Sequence, residues 1–156
     1  MAEQQICTFF LKGVYFGINV LHVKEVIRPQ PITRIPLAPP DICGLINLRG
    51  QIITVIDLQR RLEMSEPQTQ SNIKLVDEAQ GFNIIVNFED EIVSLLVDNV
   101  GDVLEFSQNM FQPPPTTLKG KIRWMLVGAY PLPDGFLLVL DAEKILDVNL
   151  INKVIE

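Results

Sequence analysis

The 156-residue chain has few of the residues that build metal and redox sites: two cysteines and one histidine. Cys7 and Cys43 lie in neither a C-x-x-C motif nor a cysteine/histidine cluster, and His22 has no partner nearby in the sequence. A structural zinc site needs about four such ligands. We therefore predict that the chain binds no metal and no cofactor, and that both cysteines are reduced residues among apolar neighbours.

Catalytic motifs are also missing. The sequence contains none of G-x-S-x-G, G-x-G-x-x-G and G-x-x-x-x-G-K-[ST], the motifs of hydrolase elbows, dinucleotide sites and phosphate-binding loops. Glu89, Asp90 and Glu91 are consecutive carboxylates, but they lie at a predicted hairpin tip, which favours a solvated turn over an acid/base pair. These absences predict a protein that is not an enzyme.

Basic residues are in the minority, since 13 Lys and Arg face 19 Asp and Glu for a net charge of −6. Nucleic-acid binding depends on basic side chains that neutralise phosphates, and the cluster Lys119, Lys121 and Arg123 is too small for that role. No apolar run approaches the ~18 residues that span a bilayer, and residues 1–5 are polar. We expect one cytoplasmic domain over residues 1–156 that binds no nucleic acid and does not insert into a membrane.

Short segments rich in Val, Ile, Leu and Phe dominate the chain, and turn residues separate them. Glycines in Lys12-Gly13, Arg49-Gly50 and Asp134-Gly135 suit the positive φ of tight hairpins. Many short strands with closely spaced turns predict a mostly β fold. The predicted strands are Ile6–Leu11, Val14–Ile18, Ile32–Ile35, Gly44–Leu48, Gln51–Ile56, Ile73–Val76, Phe82–Phe88, Glu91–Val97, Asp102–Phe106, Ile122–Tyr130 and Phe136–Leu140.

Three segments have helical features. Apolar residues three or four apart predict a short helix over Asn19–Ile27, and Asp57–Leu62 is long enough for one turn. Asp141 is a candidate N-cap for a helix over Asp141–Leu146. The polar segment Glu63–Asn72 and the proline-rich segment Gln112–Gly120 are predicted to be connections.

The segment from Gly44 to Leu58 is the most informative, because two apolar strands flank a turn that carries Arg49 and Gly50. Arg49 lies at the tip, where its fixed donors can clamp a carboxylate. Glu25 is the nearest preceding acid on a predicted element, so a Glu25–Arg49 pair could hold that element against the hairpin. From spacing alone, an ordinary exposed ion pair worth ~0–1 kcal/mol is the simpler interpretation.

At these residues the chain resembles the CheW-like family. The resemblance extends from about Ile6 to Leu146, and five motifs in the same order make it more specific than any one of them. The motifs are Y-F-G-I-N-V-L-H-V-K-E-V-I-R at 15–28, I-T-R-I-P-L-A-P at 32–39, G-L-I-N-L-R-G-Q-I-I-T-V-I-D-L at 44–58, L-V-D-N-V-G-D-V-L at 96–104 and L-L-V-L-D-A-E-K-I-L at 137–146.

The resemblance implies two five-stranded SH3-like barrels that share a core, with approximate subdomains at 14–62 and 73–140 and a C-terminal helix. It implies an adaptor at membrane-associated receptor arrays, with two partners: the cytoplasmic tip of a methyl-accepting chemoreceptor and the regulatory domain of a CheA-type histidine kinase. The matching receptor-binding positions are Val23, Glu25, Gly44, Asn47, Arg49, Gly50, Val100 and Val103. Ile18 and Val26 match the kinase-binding positions.

Two other functions stay open at this point. The same fold could serve as an adaptor in a related surface-motility chemosensory pathway, and the residues do not choose between the pathways. A small β-barrel that binds a ligand or an oligonucleotide would need exposed stacking aromatics with basic rims. Trp124 and most of the eight phenylalanines lie in predicted strands, so core packing explains them more simply.

Overall fold

Two β-sheets make up most of residues 3–64, 76–77 and 81–146, which the computed structural model describes. The first sheet has the order β10-β1-β2-β12-β11, and all its neighbours are antiparallel except β12 and β2. Its strands are β1 (Glu3–Leu11), β2 (Val14–Asn19), β10 (Asn99–Ser107), β11 (Leu126–Leu132) and β12 (Gly135–Leu140).

The second sheet has seven strands in the order β3-β8-β9-β6-β5-β4-β7, with β6 and β9 parallel. Its strands are β3 (Val23–Ile27), β4 (Ile32–Thr33), β5 (Ile42–Leu48), β6 (Gln51–Asp57), β7 (Val76–Asp77), β8 (Phe82–Phe88) and β9 (Glu91–Val97). The other described elements are three one-turn α-helices, α1 (Leu58–Arg61), α2 (Lys121–Trp124) and α3 (Ala142–Ile145), and two 3-10 turns, Val20–His22 and Gln108–Met110.

The prediction of a mostly β fold is confirmed, and β8 and β9 have the predicted bounds. Alternating apolar residues and polar turn tips are local signals, so they identify hairpins well. Of the predicted strand Ile73–Val76, residues 73–75 lie outside the described part, as do residues 65–72 of the predicted connection Glu63–Asn72.

Two predicted elements are wrong. Over Asn19–Ile27, only Val20–His22 forms a 3-10 turn, capped by the Asn19 side chain, and the rest is strand β3. The half-buried residues of β3 alternate along the strand, and pairing with β8 outweighs the weak helical spacing. The predicted strand Ile122–Tyr130 begins instead with α2, and β11 starts only at Leu126.

The two predicted helical turns after β6 and β12 are confirmed. The Asp57 carboxylate accepts a hydrogen bond from the Arg60 N–H and begins α1, and the Asp141 carboxylate does the same with Lys144 at α3. A capping oxygen satisfies an N–H that the first turn leaves without a partner. Both caps place apolar residues of the turn inward, including Leu58 and Ile145.

The largest apolar cluster lies between the two sheets and takes residues from both. The stacked Phe9 and Phe16 come from the first sheet, Ile84 and Leu95 from the second, and Ile145 from α3. Because both sheets bury their inner faces against the same cluster, neither has a separate core there. A smaller cluster with Ile46, Ile53 and Ile85 belongs to the second sheet alone.

The sheets cut across the subdomain ranges that the family resemblance implies. Strand β2 lies within residues 14–62 but belongs to the first sheet, whereas β8 and β9 lie within 73–140 and belong to the second. The ranges 14–62 and 73–140 therefore stay a prediction about barrels and do not describe the sheets.

The N-cap Asp57 makes stability depend on pH. Burial raises the pKa of its carboxyl, against the opposing effects of the Arg60 N–H and guanidinium. The native state then holds this proton more tightly than the unfolded chain, so stability falls as pH rises from the ordinary pKa through the raised one. We expect Asp57→Asn, which retains a capping oxygen, to flatten this dependence and to unfold at slightly higher urea at pH 7.

Urea denaturation at several pH values between about 4 and 7 measures the effect. Linear extrapolation to zero urea gives the free energy of unfolding at each pH, and its change with pH is compared between the variants. The control is Asp57→Ala, which removes both the cap and the ionisable group; its pH dependence should also flatten, and it should be about 1 kcal/mol less stable than Asp57→Asn at every pH. An Asp57→Asn protein with the full pH dependence of the native chain would contradict the role given to this carboxyl.

Candidate functional site

The β5–β6 hairpin carries the candidate site at its tip. Leu48 pairs with Gln51, so the loop has two residues, Arg49 and Gly50, with φ of 51° and 86°. Positive φ at both loop positions is the geometry of a type I′ turn, whose twist matches that of the strands. The Asn47 side chain accepts a hydrogen bond from the Gly50 N–H at 2.9 Å and holds the turn in this shape.

Glu25 and Arg49 form the ion pair that the sequence suggested. The Arg49 Nη2 donates to both Glu25 carboxylate oxygens, at 2.9 and 2.8 Å. Strands β8 and β9 separate β3 from β6 in the sheet, and three strand spacings in a flat sheet are about 14 Å. The sheet must therefore curl to bring β3 to the hairpin tip. The ion pair links β3 to that tip across the curled sheet.

The exposure of this pair determines what it contributes. The side chains of Arg49 and Glu25 are 68% and 30% exposed, and an exposed pair adds only about 0–1 kcal/mol to stability. The bonds to Glu25 use one of the three guanidinium nitrogens, which leaves Nε and Nη1 able to donate to a second carboxylate. The arrangement thus presents a charged group in a defined orientation at the surface.

Gly44 supports the hairpin from below. It lies at a bulge between β5 and β6 with φ of 152°, and a Cβ there would be 2.2 Å from the Thr33 carbonyl oxygen. Only glycine lets β4 approach β5 this closely. Gly44 therefore positions the hairpin through the backbone and has no side chain to offer a partner.

The apolar residues near the ion pair differ in exposure. Val23 is half-buried against the central cluster, whereas Val26 is 41% exposed on β3. Ile52, which sequence reasoning missed, is 61% exposed and lies directly opposite Asn47 in the hairpin. A signal was present, because Ile52 and Ile53 are adjacent in a strand and two neighbours cannot both face the core.

Val100 and Val103 lie on β10, the edge strand of the first sheet, opposite Phe9 and Cys7 of β1. Val103 is 56% exposed, and Val100 packs partly against the central cluster. The predicted receptor-binding residues thus lie on two sheets: Val23, Glu25, Gly44, Asn47, Arg49 and Gly50 on the second, and Val100 and Val103 on the first.

Ile18, predicted from the family resemblance to bind the kinase, offers no side-chain surface to a partner in this structure. Its side chain is completely buried in the central cluster, because β2 turns Phe16 and Ile18 inward. An apolar residue in a predicted strand can face either side of the sheet, and the sequence alone did not show which side faces the core. Val26 remains the predicted kinase-binding residue with exposed surface.

The described residues contain no group of three or more His, Cys, Asp or Glu side chains placed to hold a metal ion. None of the helices in this part of the chain is long and apolar enough to span a membrane. Cys7 is buried in the core, and burial raises the pKa of its thiol.

Comparison with known proteins agrees with the fold. The family model described as the CheW-like domain matches residues 5–149. The chain is 33% identical over 141 residues to the chemotaxis protein CheW of Treponema pallidum, covering 90% of this chain and 81% of the relative. It is 30% identical over 143 residues to the chemotaxis protein CheW of Klebsiella aerogenes, covering 92% and 81%.

A solved structure supports the same assignment. The scaffolding protein TtCheW from Thermoanaerobacter tengcongensis superposes with a TM-score of 0.77 and 30% identity, and the match covers 95% of each chain. The family model spans nearly the whole chain, and both sheets lie within the matched residues except for Glu3 and Gln4 at the start of β1. On this combination of sequence and structure, the chain belongs to the CheW-like family of chemotaxis scaffold proteins.

Proposed function

We propose that the chain is a non-enzymatic adaptor that couples methyl-accepting chemoreceptors to a CheA-type histidine kinase at cytoplasmic receptor arrays. The observation that carries the proposal is the Glu25–Arg49 pair, which joins β3 to the tip of the β5–β6 hairpin at the surface, in a chain of the CheW-like family. An adaptor needs oriented polar anchors and exposed apolar side chains, and it needs no activated nucleophile or base.

The receptor tip is proposed to bind at the hairpin. Arg49 would donate from its unused nitrogens to a receptor carboxylate, while Glu25 keeps the guanidinium in place. Asn47 and Gly50 preserve the turn that aims Arg49, and Val23 lies beside the pair on β3. The half-exposed Val103, with Val100, would supply apolar contacts from the first sheet.

The kinase regulatory domain is proposed to bind at a different surface. Val26 is exposed, and the two residues that flank it in β3 are half-buried, so its side chain is on the opposite face of the strand from Glu25. Two separate faces would allow the chain to hold receptor and kinase at the same time, as coupling requires.

Replacing Arg49 with alanine tests the receptor site. We expect Arg49→Ala to weaken binding to a receptor-tip fragment by about 30-fold or more, since losing one partner of a desolvated charge pair costs about 2 kcal/mol at least. Binding to the kinase regulatory domain should stay unchanged. Pull-downs on the two separate baits, followed by calorimetric titration, measure both affinities.

Two further variants make the result specific. Arg49→Lys retains the charge but loses the planar fork, so its receptor affinity should fall between those of the native chain and Arg49→Ala. Lys119→Ala removes one positive charge from an exposed loop outside the second sheet and should bind both baits normally. If the native chain binds neither bait, the coupling function is wrong. If Arg49→Ala binds the receptor as well as the native chain does, the site is wrong.

A further inference from the structure

A cleft of about 550 Å³ opens at the seam between the two sheets, away from the β5–β6 hairpin. The turn between β2 and β3 and the end of β8 form one side. Strands β11 and β12 and the start of α3 form the other. Because both sheets contribute, the cleft exists only in the assembled fold.

The rim of the cleft is apolar and exposed to solvent. Val127 and Phe111 are 48% and 36% exposed, and both line the cleft. Across from them, the His22 ring lies 5.3 Å from the Phe88 ring. Exposed apolar side chains that cluster around a concavity are typical of surfaces that other molecules cover.

The charges in the cleft have one sign. Asp141 and Glu143 line it, and none of the described residues that line it is a lysine or an arginine. Lys144, the next residue, is directed elsewhere, because its Nζ donates to the Trp124 carbonyl and lies 4.7 Å from the centre of that ring. The cleft therefore favours a positively charged group beside its apolar rim.

Tyr130 adds a hydrogen-bonding group. Its side chain is 2% exposed, stacks on Phe106 at 4.3 Å and contacts Phe111 at 5.1 Å, and it lines the cleft. Burial raises the pKa of its phenol, which stays protonated. The hydroxyl is not one of the buried atoms left without a partner among the described residues, so it carries no penalty of an unsatisfied buried group. As part of the cleft lining, it can form a hydrogen bond with a bound group.

We propose that the cleft is a second interaction surface, which receives a segment of a partner protein that presents an arginine or lysine next to an apolar side chain. The cation would lie near Asp141 and Glu143, and the apolar side chain would cover Val127 and Phe111. The cleft is open, whereas sites for small molecules usually enclose most of the ligand.

The test uses the full-length, ¹⁵N-labelled chain and a defined probe, an acetylated and amidated hexapeptide of sequence Gly-Arg-Leu-Arg-Leu-Gly. We expect saturable shifts of backbone amides around the cleft, at Val127, Tyr130 and Glu143 above all. A peptide with citrulline in place of both arginines retains shape and removes charge, and it should bind at least about threefold more weakly. Replacing both leucines with serine should also weaken binding.

Protein variants locate the contacts. Glu143→Gln should raise the Kd of the arginine peptide about threefold and leave that of the citrulline peptide unchanged. Tyr130→Phe should raise the Kd about fivefold, because the peptide loses the hydroxyl with which it forms a hydrogen bond. The control Glu105→Gln makes the same charge change at the opposite edge of the first sheet and should have no effect.

Three results would overturn the proposal: no shift at the cleft with millimolar peptide, equal affinity for the arginine and citrulline peptides, or shifts confined to another surface. Because the proposal does not involve Arg49, its failure would leave the receptor site untouched. Conversely, a chain that binds no receptor could still bind the peptide.

Discussion

Replacing Arg61 with alanine is expected to lower the free energy of unfolding by about 3–5 kcal/mol, the usual effect of breaking a buried ion pair. Arg61 is 2% exposed, and its Nε donates to the Asp41 carboxylate at 2.8 Å. Its Nη1 donates to the carbonyl of Ile145. One side chain thereby joins α1, the loop before β5 and α3. Without it, the largely buried Asp41 carboxylate and the Ile145 carbonyl would both lose a donor.

Urea denaturation followed by circular dichroism measures this effect. The neighbouring Arg60 is a matched control, since it pairs with Asp57 at 3.5 Å while both side chains are about one quarter exposed. We expect Arg60→Ala to cost about 0–1 kcal/mol. If Arg61→Ala does not fold, Arg61→Lys retains the charge and should show an intermediate loss. Equal stability of Arg60→Ala and Arg61→Ala would show that the buried contacts of Arg61 with Asp41 and Ile145 do not stabilise the fold.

Replacing Gly44 with alanine is expected to cost about 2–6 kcal/mol, from backbone strain and overpacking of about 1–3 kcal/mol each. Gly44 has φ of 152°, and the added Cβ would meet the Thr33 carbonyl oxygen at 2.2 Å. Since that oxygen belongs to β4, the strand and not a flexible side chain would have to move. The displacement should also weaken receptor binding, because β5 carries Asn47 and leads to Arg49.

Gly50→Ala separates the two causes. Gly50 also has positive φ, 86°, but a Cβ there would meet nothing within 4 Å. Its substitution should cost only the strain, about 1–3 kcal/mol. Differential scanning calorimetry on both variants gives the comparison. If Gly44→Ala is no less stable than Gly50→Ala, the close approach of β4 to β5 has no energetic role.

Local residue patterns predicted the hairpin of the candidate site, because the shape of a two-residue turn depends on neighbouring residues. Arg49-Gly50 between two apolar strands indicates a two-residue hairpin, and the structure has that hairpin with both φ values positive. The Glu25–Arg49 pair was one of several pairings the spacing allowed. It became definite only when β3 was placed beside the hairpin by pairing with β8.

Local residue patterns gave wrong predictions where contacts with distant segments determine the secondary structure or the burial of a residue. The spacing of apolar residues predicted that residues 23–27 belong to a helix, but pairing with β8 makes them a strand. Asn83 and Asn87 both lie in β8, yet Asn83 is completely buried, accepting a hydrogen bond from Ser94, and Asn87 is exposed. Period-two alternation places the two on the same face, but the sheet curls, and only one of them falls over the core.

The sequence by itself determined the mostly β fold, the hairpin turn at Arg49 and Gly50, and the N-cap Asp141, because turn and cap preferences act over a few residues. Only the tertiary structure decided that Ile18 is buried, that Arg61 reaches Ile145 across 84 residues, and that a cleft forms where the sheets meet. Those features depend on which distant surfaces pack together, and residue type constrains that choice weakly.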